Sequence, residues 1–131
     1  MKDSDEFSFL KETFKSLGNQ YFDSSGIIIG PGDDAGLVGN NKETIYSVDA
    51  SVSGIHFPEN LSSNLIAYRS VSTAASDIAA CGGSLKWILV SLTVNNKDLS
   101  WMRRFVSGLK SFSDDYSCLL YTSDAADDDH C

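Results

Sequence analysis

The chain has 131 residues, of which 42% are hydrophobic, and a formal net charge of −8 at pH 7. This length and apolar content predict one globular domain and argue against a disordered or fibrous protein. The longest strongly apolar run, residues 87–94, is too short to span a bilayer, and residues 1–14 carry acids where a secretory signal would be apolar, so we expect a cytoplasmic protein without a membrane segment.

The acidic charge argues against a nucleic-acid partner. Four acids lie in the last eight residues, so residues 1–121 carry only −4, and the basic residues form no stripe that could follow a phosphate backbone. Residues 122–131 have no apolar side chain larger than Ala before the final Cys, which predicts a disordered or non-native tail after a domain at 1–121. Three cysteines without a CxxC pair favour free thiols over disulfides or a zinc site.

The amino-terminal third predicts a helix and two short strands around a turn. Apolar residues at spacings of three and four predict an amphipathic helix at Glu6–Leu17, which Gly18 and Asn19 end. A strand at Ile27–Ile29 leads into the glycine- and proline-rich turn Gly30–Asp34, and Ala35–Val38 resumes a strand.

The middle third predicts a strand followed by a long helix. β-branched residues indicate a strand at Thr44–Asp49, and a loop around Pro58 follows it. Ser62 or Ser63 can cap a helix that runs to about Ala80, where Gly82 and Gly83 stop it.

The remaining elements complete an α+β domain. Leu85–Thr93 reads as a strand from the middle of a sheet, Leu99–Ser113 as a helix with an aromatic core face, and Cys118–Tyr121 as a last strand. This order predicts a mixed or antiparallel sheet with helices packed on one face.

Four carboxylates, Asp33, Asp34, Asp49 and Asp77, fall where elements begin or end. Acids from several loops can share Mg²⁺ ions, because this cation takes one or two carboxylates and completes its shell with water and substrate phosphates. The alternative is that they form turns, end a strand or lie on a polar helix stripe. Asp77 has Ala and Ile neighbours, and we expect it to be buried and therefore to need a cation or hydrogen bonds.

Phosphate-binding and nucleophilic motifs are sparse. Gly30-Pro31-Gly32 could bring backbone N–H groups to a phosphate, but the chain has neither a GxxxxGK[ST] nor a GxGxxG motif. By default His56 is a hydrogen-bonded residue of a partly buried loop, and a single histidine in the folded part does not support a Ser-His-Asp triad.

Three segments in this order and spacing resemble the thiamine-monophosphate kinase family: Gly30-Pro31-Gly32-Asp33-Asp34-Ala35, Ser47-Val48-Asp49 with Ser53-Gly54-Ile55-His56-Phe57, and Ser76-Asp77-Ile78-Ala79-Ala80-Cys81-Gly82-Gly83. The resemblance covers about residues 5 to 118 and implies the amino-terminal ATP-binding domain of the aminoimidazole ribonucleotide synthetase-like fold, without the family's second domain.

The resemblance implies a role for each matching position. Asp34, Ser47, Asp49 and Asp77 would hold several Mg²⁺ ions against the phosphates of ATP, and His56 would touch thiamine monophosphate. The ATP-binding positions would be Gly32, Asp33 and Asp124, the last in Thr122-Ser123-Asp124-Ala125 where the family has Gly-Gly-Asp-Thr. The implied reaction moves the γ-phosphoryl group of ATP to thiamine monophosphate, and the implied assembly is a homodimer. Two alternatives stay open: a sister ATP-dependent enzyme with another acceptor, and a non-catalytic dimerisation or interaction domain.

Overall fold

The computed structural model describes residues 8, 12–14, 16–29, 37–39, 43–94 and 98–122. In chain order its elements are a 3₁₀ turn (Asn19–Tyr21), α1 (Phe22–Ser25), β1 (Ile27–Ile29), β2 (Leu37–Val38), α2 (Ser63–Ala80), β3 (Trp87–Val90), α3 (Leu99–Tyr116) and β4 (Leu119–Thr122). This is an α+β domain, as predicted. Within the described residues no helix is long and apolar enough to cross a membrane.

The described strands form two small sheets. β1 and β2 are antiparallel, with Ile27 opposite Val38, and the predicted phosphate-facing turn falls in the connection between them. β3 and β4 are parallel, with Trp87 opposite Leu119. Parallel neighbours need a crossover connection, and α3 is that connection. The domain therefore combines a hairpin with a β3–α3–β4 unit.

Helix α2 begins and ends where the sequence predicts. Ser62 has an extended backbone before the first helical residue. At the other end Gly82 has a φ of +71°, the N–H of Gly82 donates to the Ala79 carbonyl, and the N–H of Gly83 donates to the Ile78 carbonyl. These two bonds form a Schellman motif, which glycine favours because a side chain is strained at this φ. The predicted stop at Gly82 and Gly83 is confirmed.

Helix α3 is capped by Asp98, whose carboxylate accepts hydrogen bonds from the N–H groups of Ser100 (2.9 Å) and Trp101 (3.3 Å). It runs three residues beyond the predicted end at Ser113, because Tyr116 stacks on Phe112 with ring centroids 4.5 Å apart. Ser117 then ends the helix with a φ of 52°.

The core lies between α2, α3 and β4. Its fully buried side chains include Leu109, Phe112, Leu119 and Leu120, and truncating one such Leu to Ala typically costs about 2–5 kcal/mol. Two hydrogen bonds join the helices: the Ser63 hydroxyl at the start of α2 donates to the Trp101 carbonyl (2.7 Å), and the Tyr68 hydroxyl donates to the Asp115 carboxylate (2.8 Å).

The amino-terminal segment packs against β4. Leu17 is buried, and the Leu120 N–H donates to its carbonyl at 3.4 Å. A Cβ on Gly18, whose φ is +72°, would lie 2.5 Å from the Cys118 carbonyl oxygen, so only glycine fits this crossing. Half of the predicted helix at Glu6–Leu17 lies outside the described residues. Positions 8, 12–14 and 16 are helical, while the 3₁₀ turn and α1 were not predicted.

Two strand predictions are wrong. Residues 44–49 do not form a strand and belong to neither of the two described sheets. The predicted central strand Leu85–Thr93 shortens to Trp87–Val90, and Leu89 is 60% exposed, so this strand is not covered on both faces. Of the remaining boundaries, β4 extends one residue past the predicted domain end at 121.

Candidate functional site

The site is built where the segment Glu43–Ala50 passes the carboxyl end of α2. Ile45 lies against Gly83, where an added Cβ would be 3.3 Å from the Ile45 Cδ1 atom. The Tyr46 ring meets the Trp87 ring with centroids 6.0 Å apart. These two contacts hold the segment against Gly83, just after α2, and against β3, and the next side chain along the chain is Ser47.

Ser47 and Asp77 are brought together although 30 residues separate them. The Ser47 hydroxyl donates to Oδ2 of Asp77 at 3.0 Å. Ser47 is half-buried and Asp77 is exposed, so water and ligands reach the pair. Both oxygens are hard donors of the kind that Mg²⁺ prefers.

The separation of these oxygens also suits a shared cation. At Mg–O distances near 2.0–2.1 Å, two adjacent ligands of an octahedral Mg²⁺ lie about 2.9 Å apart. The observed 3.0 Å between Ser47 Oγ and Asp77 Oδ2 is close to this value. Rotation of the Ser47 hydroxyl hydrogen would free lone pairs on both oxygens without moving either side chain. The pair could therefore supply two adjacent oxygen ligands to a divalent cation.

The predicted burial of Asp77 is wrong. The side chain is exposed, because the buried face of α2 consists of Ser63, Ile66, Ala67 and Val71, and Asp77 lies off that face. Its Ala-rich neighbours in sequence do not cover it. Burial therefore gives no reason for Asp77 to bind a cation. Its proposed role as a metal ligand rests on the contact with Ser47 and on the resemblance.

Asp49 lies two residues beyond Ser47. Two residues of chain span at most about 7 Å, so its Cα remains near that of Ser47. The Asp49 side chain is exposed, and within the described part of the chain it has no hydrogen bond or ion pair. Its carboxylate is thus available to a ligand, and its role as a metal ligand stays a prediction.

Four further candidates, Gly32, Asp33, Asp34 and Asp124, lie outside the described residues. Among the residues that are described, no three His, Cys, Asp or Glu side chains cluster closely enough to hold a metal ion. The described part of the chain therefore contributes a pair, Ser47 with Asp77, and the nearby Asp49.

His56 is exposed rather than partly buried. Its Nδ1 accepts a hydrogen bond from the Val52 N–H at 3.0 Å, so the default prediction of a hydrogen-bonded histidine is confirmed. Sequence reasoning did not find Val52 as the partner, and a four-residue spacing without helical context gives no signal for it.

A cleft of about 290 Å³ lies between α2 and α3 and reaches Gly83, with Ser72, Ala75 and Ile78 on α2 and Phe112 on α3 among its lining residues. Among the described residues that line it there is no carboxylate, although Ser76 and Ile78 on either side of Asp77 are among them.

Residues 32–131 match the family described as AIR synthase related protein, N-terminal domain. The match spans most of the chain, so the chain belongs to this family. Its α+β architecture agrees with that of a solved relative, the thiamine-monophosphate kinase from Stenotrophomonas maltophilia K279a. The TM-score is 0.70 at 24% identity, over 82% of this chain and 35% of that one, which supports the fold alone.

Several curated proteins similar in sequence to this chain are thiamine-monophosphate kinases. The chain is 32% identical over 121 residues to the thiamine-monophosphate kinase of Buchnera aphidicola subsp. Acyrthosiphon pisum, and 31% identical over 121 residues to that of Haemophilus influenzae. It is 36% identical over 96 residues to the thiamine-monophosphate kinase of Bacillus subtilis. The first two alignments cover 91% of this chain and 36% of the relative, so the chain spans about a third of the relatives' length.

Proposed function

We propose that this chain is the nucleotide- and magnesium-binding part of a kinase that uses ATP to phosphorylate thiamine monophosphate to thiamine diphosphate. The observation that carries the proposal is the Ser47–Asp77 contact, which joins two of the motifs that this chain has in common with the kinases. The names of the similar proteins support the substrates. The chain alone would have little turnover, because it spans about a third of those enzymes' length.

In this proposal Asp77, Ser47 and Asp49 would hold a Mg²⁺ ion, and Asp34, in the turn predicted after β1, would contribute a further ligand. Bound Mg²⁺ supplies charge neutralisation between two phosphate groups that would otherwise repel each other. The chain's own task is orientation: Ile45 against Gly83 and Tyr46 against Trp87 hold Ser47 at the end of α2. An acceptor that is already an anionic phosphate needs positioning more than it needs a general base.

Titration calorimetry with ATP and Mg²⁺ tests the binding half of the proposal. Asp77→Asn should weaken magnesium-dependent ATP binding by tenfold or more, and Ser47→Ala should weaken it less, because a neutral ligand is lost instead of a charge. Asp114→Asn is the matched control, since this α3 carboxylate bonds Lys110 (2.6 Å) and Gln20 (3.3 Å) and not the site. Equal binding by the Asp77 and Asp114 variants would refute the metal role.

A phosphorylation assay tests the reaction. The kinase that contains this chain should convert thiamine monophosphate, and an acceptor panel separates it from a sister enzyme. Turnover of another phosphorylated or carboxylated acceptor, with none of thiamine monophosphate, would reject the proposed substrate while leaving the metal site intact.

A second candidate function is homodimerisation, and exposed apolar side chains favour it. Around the site segment Tyr46 is 68% exposed, Val48 94% and Ile55 76%, and Leu89 on β3 is 60% exposed. Apolar surface of this kind commonly marks an interface. Sedimentation of the chain should show a dimer that Val48→Asp converts to a monomer. A wild-type chain that stays monomeric at high concentration would exclude homodimerisation.

The cytoplasmic location and the division at residue 121 stay predictions.

A further inference from the structure

Residues Val52–Phe57 form a closed loop, named here the 52–57 loop, whose geometry depends on one imidazole. The Gly54 N–H donates to the Phe57 carbonyl (2.9 Å), and the N–H groups of Ile55 (3.2 Å) and His56 (2.9 Å) donate to the Val52 carbonyl. The Val52 N–H donates to Nδ1 of His56 at 3.0 Å. His56 thus binds both backbone polar groups of Val52, one through its own N–H and one through its ring.

Burial contributes little to this loop. Val52 is 45% exposed and Ile55 is 76% exposed, and of the loop's side chains Phe57 packs against the core. Gly54 has a φ of +76°, which glycine adopts without strain, but it has no side chain that could pack against the loop. Hydrogen bonds therefore hold the loop, and the bond to Nδ1 is the one that a side chain supplies.

The bond also determines where the ring carries its proton. A neutral imidazole has one N–H donor and one acceptor nitrogen. Because Nδ1 accepts from the Val52 N–H, the hydrogen of the neutral ring is on Nε2. The opposite tautomer would place two N–H groups against each other and open the loop.

We propose that His56 is a positioning residue: its Nε2-protonated imidazole closes the 52–57 loop through the Val52 N–H. With Nδ1 bonded to Val52, the Nε2–H group is the ring donor that can reach a phosphate oxygen of thiamine monophosphate. This substrate contact, unlike the loop itself, rests on the proposed function. The loop and its tautomer do not depend on any ligand. They can be tested even where the kinase proposal fails.

The test uses nuclear magnetic resonance on the 131-residue chain. The chain has two histidines, so a His130→Asn variant leaves the two ring ¹⁵N signals of His56 alone. Above the titration range of histidine, these shifts should be those of the Nε2-protonated tautomer. A predominant Nδ1-protonated form, or a mixture of the two tautomers in comparable populations, would overturn the proposal. This test leaves His56 unmutated.

Two substitutions then distinguish the contribution of Nδ1 from that of Nε2. His56→Asn can place its amide oxygen where Nδ1 stands, whereas His56→Gln places its amide near the position of Nε2. Hydrogen exchange of the Val52 amide should stay within about twofold of wild type in the Asn variant. In the Gln variant it should rise about tenfold, the upper range for one net hydrogen bond. Equal exchange in the two variants, whether both slow or both fast, would show that an acceptor at the Nδ1 position does not hold the loop.

Discussion

The closest approach of α2 and α3 gives a sharp test of the packing. A Cβ added to Gly108 would lie 2.1 Å from the Asn64 carbonyl oxygen and 2.8 Å from its carbonyl carbon and Cα. All three atoms are backbone, so no side-chain rotation relieves the clash. To reach an ordinary contact of 3.4 Å, the helices would have to separate by about 1.3 Å in Gly108→Ala.

Two opposing contributions determine how much Gly108→Ala changes the free energy of unfolding. Ala in place of Gly favours an exposed helix by about 1 kcal/mol. Overpacking a well-packed contact costs about 1–3 kcal/mol, and a backbone clash belongs at the upper end of that range. We therefore expect Gly108→Ala to lower the free energy of unfolding by about 2 kcal/mol.

Urea unfolding followed by tryptophan fluorescence measures this change, because Trp101 is in α3 beside the core. Ser107→Ala is the matched control: it is one residue away, exposed, and should be neutral or stabilising by up to about 0.5 kcal/mol. If Gly108→Ala proved as stable as this control at an unchanged urea dependence, the close helix crossing described here would be incorrect.

Two further predictions concern ionisable groups. The hydrogen bond to Asp115, followed by desolvation, raises the pKa of Tyr68 to about 12, so its stabilisation is complete below pH 10 and is lost as the pH rises through about 12. Asp115→Asn should return this pKa toward 10 in an NMR titration of the tyrosine ring carbons, and an unchanged value would contradict the contact. Burial raises the pKa of the Cys118 thiol to about 11. In a chain with Cys81→Ser and Cys131→Ser, a thiol reagent should therefore modify Cys118 only on unfolding, and rapid reaction of the folded chain would contradict its burial.

The long helices could be predicted because their signals are local. Apolar spacing and the Gly82-Gly83 stop determine α2 within the chain segment itself, and the Schellman bonds confirm the mechanism. The end of α3 could not be predicted, since Tyr116 continues the helix by stacking on Phe112 and Asp115 by bonding Tyr68 of another helix. Such contacts exist only after the two helices pack.

The strands show the same division between local and distant causes. Ile27–Ile29 and the segment after Leu85 were located by composition, but the length of a strand depends on its partner. β3 extends only where β4 runs beside it, from Trp87 to Val90. Residues 44–49 have a strand-like composition but are not a strand; their side chains contact α2 and β3, through Ser47 with Asp77 and Tyr46 with Trp87.

The candidate site shows where sequence reasoning needs a resemblance. No periodicity connects Ser47 with Asp77, because their contact depends on Ile45 fitting against Gly83 and Tyr46 against Trp87. Gly83 also leaves no room for a side chain, since a Cβ there would lie 2.9 Å from the Ile78 Cγ2 atom. Gly83, which completes the Schellman motif begun at Gly82, therefore also admits Ile45, and the Ser47 hydroxyl two residues further along lies beside the Asp77 carboxylate. The end of α2 and the Ser47–Asp77 contact thus depend on the same segment of the chain.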